Sequence, residues 1–532
     1  MIRDFLTHED GGQIDTDICV IGAGAAVIAI AREFLTSSSI RVLLVESGGL
    51  NLESVTDSLS EGESVGLPHY GLTVGRSRLL GGTTRLWAGQ CTPLDDIDFE
   101  ARPWVPYSGW PINKADLNPY YLRAESFFYI SDQIYNEQIW QKFSIQPPEL
   151  DKCKLGYKFT VYTPTPDSGK TYRDELKKSP NVQILLHANV TKLQANESGS
   201  QVEHVDIRTL DGKTGRISAK AFVLCCGGVE NARLLLLSDE LGNDRDLVGR
   251  FFQEHPNCDS ADVQTDTPLS IQEPYSLLFK GKFGYFPKIH LSSELQRQQQ
   301  LLNCTSNLVF ELNVNSGVAV AQQIYRSLKK GKLPEKKLIW ESRHLVAECG
   351  NVTSMLYRRY VRGRSPASPP VRIWLQTHGE QAPNRDSRIT LSSKRDPLGL
   401  NMAQVDWRLT DLDKRTAETT AKTIAAEFDR LKLAQINVRD WLTDANDWAN
   451  NFHDSYHHMG TTRMATDPNS GVVDSNCQVY GVAKLFIAGS SVFPTSAYSN
   501  PTLTIVALAI RLADHLKTTI AAESSLVLNA PS

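Results

Sequence analysis

The sequence lacks the marks of a secreted, membrane-spanning or nucleic-acid-binding protein. Its nine cysteines are odd in number and show no C-x-x-C spacing, which argues against a disulfide scaffold or a zinc ribbon. No stretch reaches 18 uncharged apolar residues and the first residues contain no signal-peptide run. The formal net charge of -4 excludes a chain-wide basic surface for nucleic acid. We therefore expect a soluble, cytoplasmic protein.

What the chain does have is the composition of a large globular protein. Hydrophobic residues make up 41% of its 532 residues and charged residues 22%, so neither disorder nor a coiled coil is its main state. At roughly 150 residues per domain the length suggests three to four domains, unless domains are interleaved along the chain.

The first motif is glycine-rich and lies between a predicted strand and a predicted helix. The strand is 17–21, the glycines are Gly22 and Gly24, and a second strand ends at Glu46. Glycines at this turn let the backbone approach a pyrophosphate at the helix N-terminus, and the carboxylate accepts hydrogen bonds from a ribose. Val27 stands where the fingerprint has its third glycine, so a βαβ unit without a nucleotide is the alternative.

A second motif predicts the start of a buried helix near the end of the chain. Asn500 at the N-cap and Pro501 at the first helical position precede an almost wholly apolar run that begins at Thr502. The N-terminus of such a helix is expected to face a pocket, where its dipole stabilises an anion. A well-capped buried helix without a ligand is the alternative.

A third motif contains two adjacent histidines, His457 and His458. Neighbouring side chains point apart, so the pair does not have the spacing of a metal site, and no metal is predicted. A single histidine is suited to act as a general base near neutral pH. Two histidines in a surface loop are the alternative.

These motifs occur together in the glucose-methanol-choline (GMC) oxidoreductase family, and the chain resembles that family, most of all its sugar- and polyol-oxidising branch. The matching segments are ICVIGAGAA at 18–26, LLGGTTRLWAG at 79–89, VLCCGGVENARLLL at 223–236 and a long block at 456–509. The resemblance implies an α/β fold, with a Rossmann-like FAD-binding domain and a discontinuous α+β substrate domain that carries an antiparallel sheet.

The resemblance also revises the number of domains to two, each assembled from separated pieces. The FAD-binding domain is expected at residues 1–100, 180–260 and 446–532, and the substrate-binding domain at residues 101–179 and 261–445.

By resemblance, His457 falls at the catalytic histidine of the family and Asn500 at the second member of the catalytic pair. Arg85 and Leu86, rather than a histidine, precede Trp87, so we expect the FAD to be bound non-covalently. The cofactor-binding positions implied by the resemblance are Gly22, Gly24, Glu46, Ser47, Gly81, Gly82, Thr83, Trp87, Val190, Gly227, Gly489, Ser490, Pro501 and Thr502.

The implied reaction is oxidation of a CH–OH group in a sugar, a polyol or a glycosylated compound. The hydride goes to flavin N5 and His457 takes the hydroxyl proton. An FAD-containing lyase of the same scaffold and a non-catalytic flavin- or nucleotide-binding protein are the alternatives. The electron acceptor, whether oxygen, a quinone or a redox protein, is left open.

A basic segment at 326–364 contains 11 Lys or Arg against three Glu. Docking on an anionic membrane or on an acidic electron-transfer partner is one interpretation of this segment. A solvated pair of helices is the interpretation that we favour.

Overall fold

The computed structural model describes residues 1–36, 39–312, 323, 324, 327, 357–365, 369–443 and 448–528. The strands are β1 (Ile2–Asp4), β2 (Gly12–Ile21), β3 (Val42–Val45), β4 (Gly62–Ser64), β5 (Gln90–Cys91), β6 (Leu155–Tyr162), β7 (Val182–Leu186), β8 (Asn189–Ala195), β9 (Val202–Arg208), β10 (Thr214–Leu224), β11 (Asn257–Gln264), β12 (Leu278–Lys280), β13 (Phe283–Leu291), β14 (Cys304–Leu312), β15 (Pro370–Gly379), β16 (Arg388–Arg395), β17 (Asn401–Asp406), β18 (Gln435–Val438) and β19 (Leu485–Ile487).

The described α-helices are α1 (Ala25–Glu33), α2 (Ser54–Asp57), α3 (Asp96–Phe99), α4 (Lys114–Phe127), α5 (Ile139–Phe143), α6 (Ser168–Lys178), α7 (Gly227–Leu237), α8 (Pro268–Tyr275), α9 (Ser293–Gln299), α10 (Asp411–Arg430), α11 (Asp440–Thr443) and α12 (Thr502–Leu528).

The first sheet is mainly parallel and contains the predicted βαβ unit. Its order is β1-β7-β3-β2-β10-β9-β8, and β19 pairs with the carboxyl end of β10. The pairs from β1 to β10 and the β10–β19 pair are parallel, whereas β9 and β8 are antiparallel additions. The sequences of β2 and β3 contain apolar runs because helices cover both faces of a parallel sheet.

Helix α12 packs against both α1 and α4. The Arg123 guanidinium lies 2.5 Å from Glu33 and 2.5 Å from Asp514, so one side chain bridges the three helices. The C-terminal helix is thereby tied to the helix that follows the glycine turn.

The second sheet is antiparallel throughout and has the order β18-β11-β15-β14-β13-β6-β5, with β12 beside β13. Helix α10 covers one of its faces. A third, three-stranded sheet joins β16, β17 and β4. The predicted fold class, with a Rossmann-like part and an antiparallel substrate sheet, is confirmed.

The strands of the first sheet come from residues 2–45, 182–224 and 485–487, all within the segments predicted to form the FAD-binding domain. The second sheet draws β5 from within those segments, and β11 crosses their boundary at 260. The exact domain boundaries stay a prediction.

The last two features of the sequence to compare with the structure are the basic segment and the absence of long apolar runs. The basic segment at 326–364 lies largely outside the described residues. None of the described helices combines the length and the apolarity that crossing a membrane requires.

Candidate functional site

Two adjoining cavities lie between the carboxyl ends of the parallel strands and the antiparallel sheet. The first has a volume of about 580 Å³ and the second about 510 Å³. The residues that line both are Gln90, Ser455, His457 and Asn500. A cofactor in the first cavity and a substrate in the second would therefore meet at His457 and Asn500.

The glycine turn between β2 and α1 forms one wall of the first cavity. Gly22 has a φ of 113°, and a Cβ there would lie 2.8 Å from the carbonyl oxygen of Cys225. A Cβ on Gly24 would meet nothing within 4 Å, so that backbone faces open space. Val27 is fully buried in the helix that follows, which shows that the turn tolerates valine at the third fingerprint position.

The first cavity brings together nearly all of the predicted cofactor positions from distant parts of the chain. Gly81 is the exception: it does not line the cavity but packs on α6, where a Cβ would lie 2.8 Å from the backbone nitrogen of Gly169. The predicted cofactor positions that line the cavity are Gly22, Gly24, Glu46, Ser47, Gly82, Thr83, Trp87, Val190, Gly227, Gly489, Ser490, Pro501 and Thr502.

These walls fit a flavin dinucleotide. Like Gly24, Gly227 and Gly489 leave open space where a Cβ would stand, so the backbone can approach a bound group closely. Glu46 is buried at the end of β3, and its Oε1 accepts hydrogen bonds from the Gly48 amide at 2.9 Å and the Ser47 hydroxyl at 3.1 Å. Burial raises the pKa of Glu46, and its other oxygen would be the one free to meet a ribose.

His457 is held by a second histidine that the sequence analysis did not identify. His255 Nε2 lies 3.0 Å from the Ser496 carbonyl oxygen, which can only accept, so Nε2 must carry a proton. Burial lowers the pKa of His255 to about 4, so this ring is neutral and its Nδ1 accepts. The donor to that atom, 2.9 Å away, is His457 Nδ1.

The tautomer of His457 follows from this hydrogen bond. Burial is the main cause that holds the pKa of His457 well below its usual value, so the ring is neutral near pH 7. With its one proton on Nδ1, the ring has an unprotonated Nε2 that can accept a proton.

Glu254 supports the backbone of this histidine loop. One carboxylate oxygen accepts the amide of His457 at 2.9 Å and that of Ser455 at 3.3 Å. The other oxygen lies 3.0 Å from His69 Nε2 and 3.6 Å from His458 Nε2. The three side chains have spacing that a metal could use, but the carboxylate already accepts several N–H donors, and we interpret the cluster as a hydrogen-bonded support. The predicted absence of a metal stays a prediction.

Asn500 does not cap the last helix as the sequence predicted. Helix α12 begins at Thr502, and its first turn closes with the Ile505 amide donating to the carbonyl of Pro501 at 2.8 Å. The side-chain oxygen of Asn500 is buried and has no hydrogen-bond partner among the described residues. The side chain of Asn500 lines both cavities instead, so it is available to a ligand.

The comparisons with known proteins agree with this arrangement. Two family models described as GMC oxidoreductase match the chain, one at residues 165–257 and the other at residues 383–509. The chain belongs to the GMC oxidoreductases. The predicted family and FAD as cofactor are thereby confirmed.

Individual relatives of this GMC oxidoreductase cover most of its length. It is 23% identical to a 2-methyl-1,2-propanediol dehydrogenase of Mycolicibacterium austroafricanum, over 82% of this chain and 80% of the relative. It is 24% identical to a 6'''-hydroxyparomomycin C oxidase of Streptomyces lividus, over 97% and 95% of the two chains. The crystal structure of a pyridoxine 4-oxidase from Mesorbium loti shares the fold, with a TM-score of 0.56 at 16% identity over 94% and 99% of the two chains.

Most residues that line the second cavity of this GMC oxidoreductase were not predicted from the sequence. His255, which lines this cavity, and its neighbour Glu254 lie in the segment GRFFQEHP at 249–256, to which no role was assigned from the sequence. Lys288 and His378 come from β13 and β15 and have no motif around them. Only the pairing of the antiparallel strands places them in the same cavity as His457.

Proposed function

We propose that this protein oxidises a CH–OH group of a sugar, a polyol or a glycosylated compound, with His457 as the general base. The observation that carries the proposal is the position of His457, which lines both cavities and has an unprotonated Nε2. FAD, when bound, supplies the acceptor for the hydride. Removal of the hydroxyl proton and orientation of the substrate depend on the protein's own side chains.

His457 is suited to take the hydroxyl proton at Nε2. When it does so, the ring becomes an imidazolium whose Nδ1 proton remains donated to His255 Nδ1, so the orientation of the ring is kept. Asn500 lines the same space, and its side-chain oxygen has no partner among the described residues; its NH₂ group would orient the substrate oxygen by donating to it. Together the two groups align the hydroxyl before the proton moves.

The cofactor is proposed to be held non-covalently by the walls of the first cavity. The backbone at Gly24, Gly227 and Gly489 is open to the phosphates and the ribityl chain, and Glu46 would meet the adenosine ribose. The cytoplasmic location stays a prediction.

The test is a His457→Ala variant mixed anaerobically with a panel of sugars and glycosides. We expect the variant to purify yellow with bound flavin and to be bleached by substrate about 10²- to 10⁴-fold more slowly than the wild type. A matched control is His290→Asn, because His290 is also a histidine of lowered pKa, about 4, but lines neither of the two cavities.

Bleaching of the His457→Ala variant at the wild-type rate would remove His457 as the base. Turnover of a substrate by the wild type without any bleaching would instead indicate a lyase. A panel that bleaches both the wild type and the control variant supports the oxidoreductase.

A further inference from the structure

Lys288 is a buried cation for which the described residues supply no counter-charge. It lies on β13 and is 6% exposed, and its side chain lines the second cavity. No hydrogen bond or ion pair to its ammonium is found in the part of the chain that the structure describes. Burial alone lowers its pKa to about 8, with no carboxylate acting on it.

Several other buried or half-buried cations among the described residues are paired with carboxylates. Arg102 lies against Glu380 and Arg233 against Asp396, both as buried pairs. Lys158, which stands opposite Lys288 in the register of β6 and β13, reaches Asp95 at 2.5 Å. Lys288 has no such partner among the described residues. Arg463 has none either, but it donates to the Tyr107 carbonyl and does not line the second cavity, whereas Lys288 does.

The described walls of the cavity around Lys288 carry no negative charge. Among the described residues that line the second cavity there is no Asp or Glu. Burial lowers the pKa of His255 to about 4 and that of His378 to about 3, and holds the pKa of His457 well below its usual value. All three rings are therefore neutral at pH 7, and the lysine is the one charge on the described walls.

An ammonium in such a place is stabilised when an anion binds beside it. Removal of a charge from water is unfavourable unless the charge is paired and hydrogen-bonded. A charge-assisted hydrogen bond is also stronger in a cavity that excludes water than on the surface. The cavity thus favours a ligand with one negative group and disfavours one that carries ammonium groups.

We infer that the substrate is a sugar or polyol that carries one acidic group, a carboxylate or a phosphate, which Lys288 binds while the reacting CH–OH faces His457 and Asn500. This inference rests on the proposed function, because it assigns a second contact of the substrate within the same cavity. The bond formed by Lys288 is ionic, and the lysine takes no part in the transfer of hydride or proton.

The test measures equilibrium binding to the oxidised holoenzyme by the change in the flavin absorption spectrum. The probes are D-glucose, D-glucuronate and D-glucose 6-phosphate, so the neutral, the carboxylate and the phosphate forms of one sugar are compared. We expect at least one acidic sugar to bind about 10- to 100-fold more tightly than glucose at pH 7. Whether glucuronate or the phosphate binds more tightly identifies the acidic group.

Three variants establish that Lys288 is responsible. Lys288→Met keeps the length of the side chain without the charge and should abolish the preference, whereas Lys288→Arg should retain part of it. Lys282→Met, at an exposed position before the same strand, should leave the preference unchanged. The loss should appear in the dissociation constant of the acidic sugar, with little change in that of glucose.

Equal binding of the neutral and acidic sugars, no binding of either acidic sugar, or a preference that survives in Lys288→Met would overturn the inference. Anaerobic bleaching is recorded separately with the same sugars. Bleaching by glucose without any acidic preference would leave the proposed function in place and remove only the role of Lys288. Tight binding of an acidic sugar with no bleaching by any sugar would count against the proposed function instead.

Discussion

At the scale of the residue, burial sets the protonation states on which the chemistry depends. His255 has one neighbour that can only accept, the Ser496 carbonyl, and this single contact determines the tautomer of both histidines. A sequence contains no information of this kind, because His255 and His457 are 202 positions apart. The motif could identify the histidine but not its reactive nitrogen.

The lowered pKa of His457 leads to a prediction about pH. The base must be unprotonated to act, and its pKa is lowered by burial and by the neighbouring His255 and His378. The rate of flavin reduction should therefore be constant from about pH 8 down to about pH 6.5, the ordinary histidine value, and fall only at lower pH. Anaerobic stopped-flow experiments, with substrate saturating at each pH, measure this rate of flavin reduction. An acid limb with an apparent pKa of 7 or above would contradict the structure.

At the scale of the element, the turn between β2 and α1 combines two glycines with different requirements. Gly22 needs its positive φ and lies against the carbonyl of Cys225, the residue that directly follows β10. Gly24 has no protein neighbour at its Cβ position. The first glycine therefore serves the packing of the strands, and the second is available to serve the cofactor.

Two alanine substitutions separate these requirements. Gly22→Ala forces an unfavourable φ and a backbone contact at 2.8 Å, and we expect it to lower the free energy of unfolding by about 1–3 kcal/mol. Gly24→Ala should leave the melting temperature of the apoprotein unchanged but weaken FAD binding. Thermal melts of the apoproteins and flavin titrations measure the two effects. A Gly24→Ala variant with wild-type FAD affinity would show that the cofactor does not approach this backbone.

The buried parallel strands were predicted from the sequence, whereas a break between two consecutive strands was not. The apolar runs of β2 and β3 were predicted from the sequence because buried parallel strands have few polar residues. The apolar pattern of residues 182–193 predicts a single strand, but the structure has two strands there, separated at His187, whose φ is 53°. Its backbone turns there so that the Ala188 amide can donate to the Glu46 carbonyl, a contact that sequence periodicity cannot show.

At the scale of the whole molecule, the first cavity is built from both ends of the chain. Its walls come from β2 and α1, from the turn before α7 and from the loops that lead into α12. A ligand that bridges all of these segments should stabilise them together. Bound FAD should raise the free energy of unfolding by about 2.7 kcal/mol when its concentration is 100 times the dissociation constant.

The attachment of the cofactor can be tested on the intact protein. Residues 79–90 contain no His, Cys or Tyr that could bond to the flavin. Precipitation with acid should therefore release the yellow flavin into the supernatant, and removal of FAD should lower the melting temperature in a way that added FAD reverses. Flavin that stays with the precipitate would indicate a covalent bond to another residue of the cavity.

The sequence by itself determined the family, the cofactor and the positions of the glycine turns, because these depend on local backbone geometry and on contiguous motifs. Only the tertiary structure decided that Gly81 faces α6, that Asn500 is free of the helix cap and that His255 sets the tautomer of His457. The position of Lys288 in the second cavity was likewise decided only by the tertiary structure. Strand pairing across more than 100 residues places it in the cavity, and burial there removes the water that would otherwise solvate its charge.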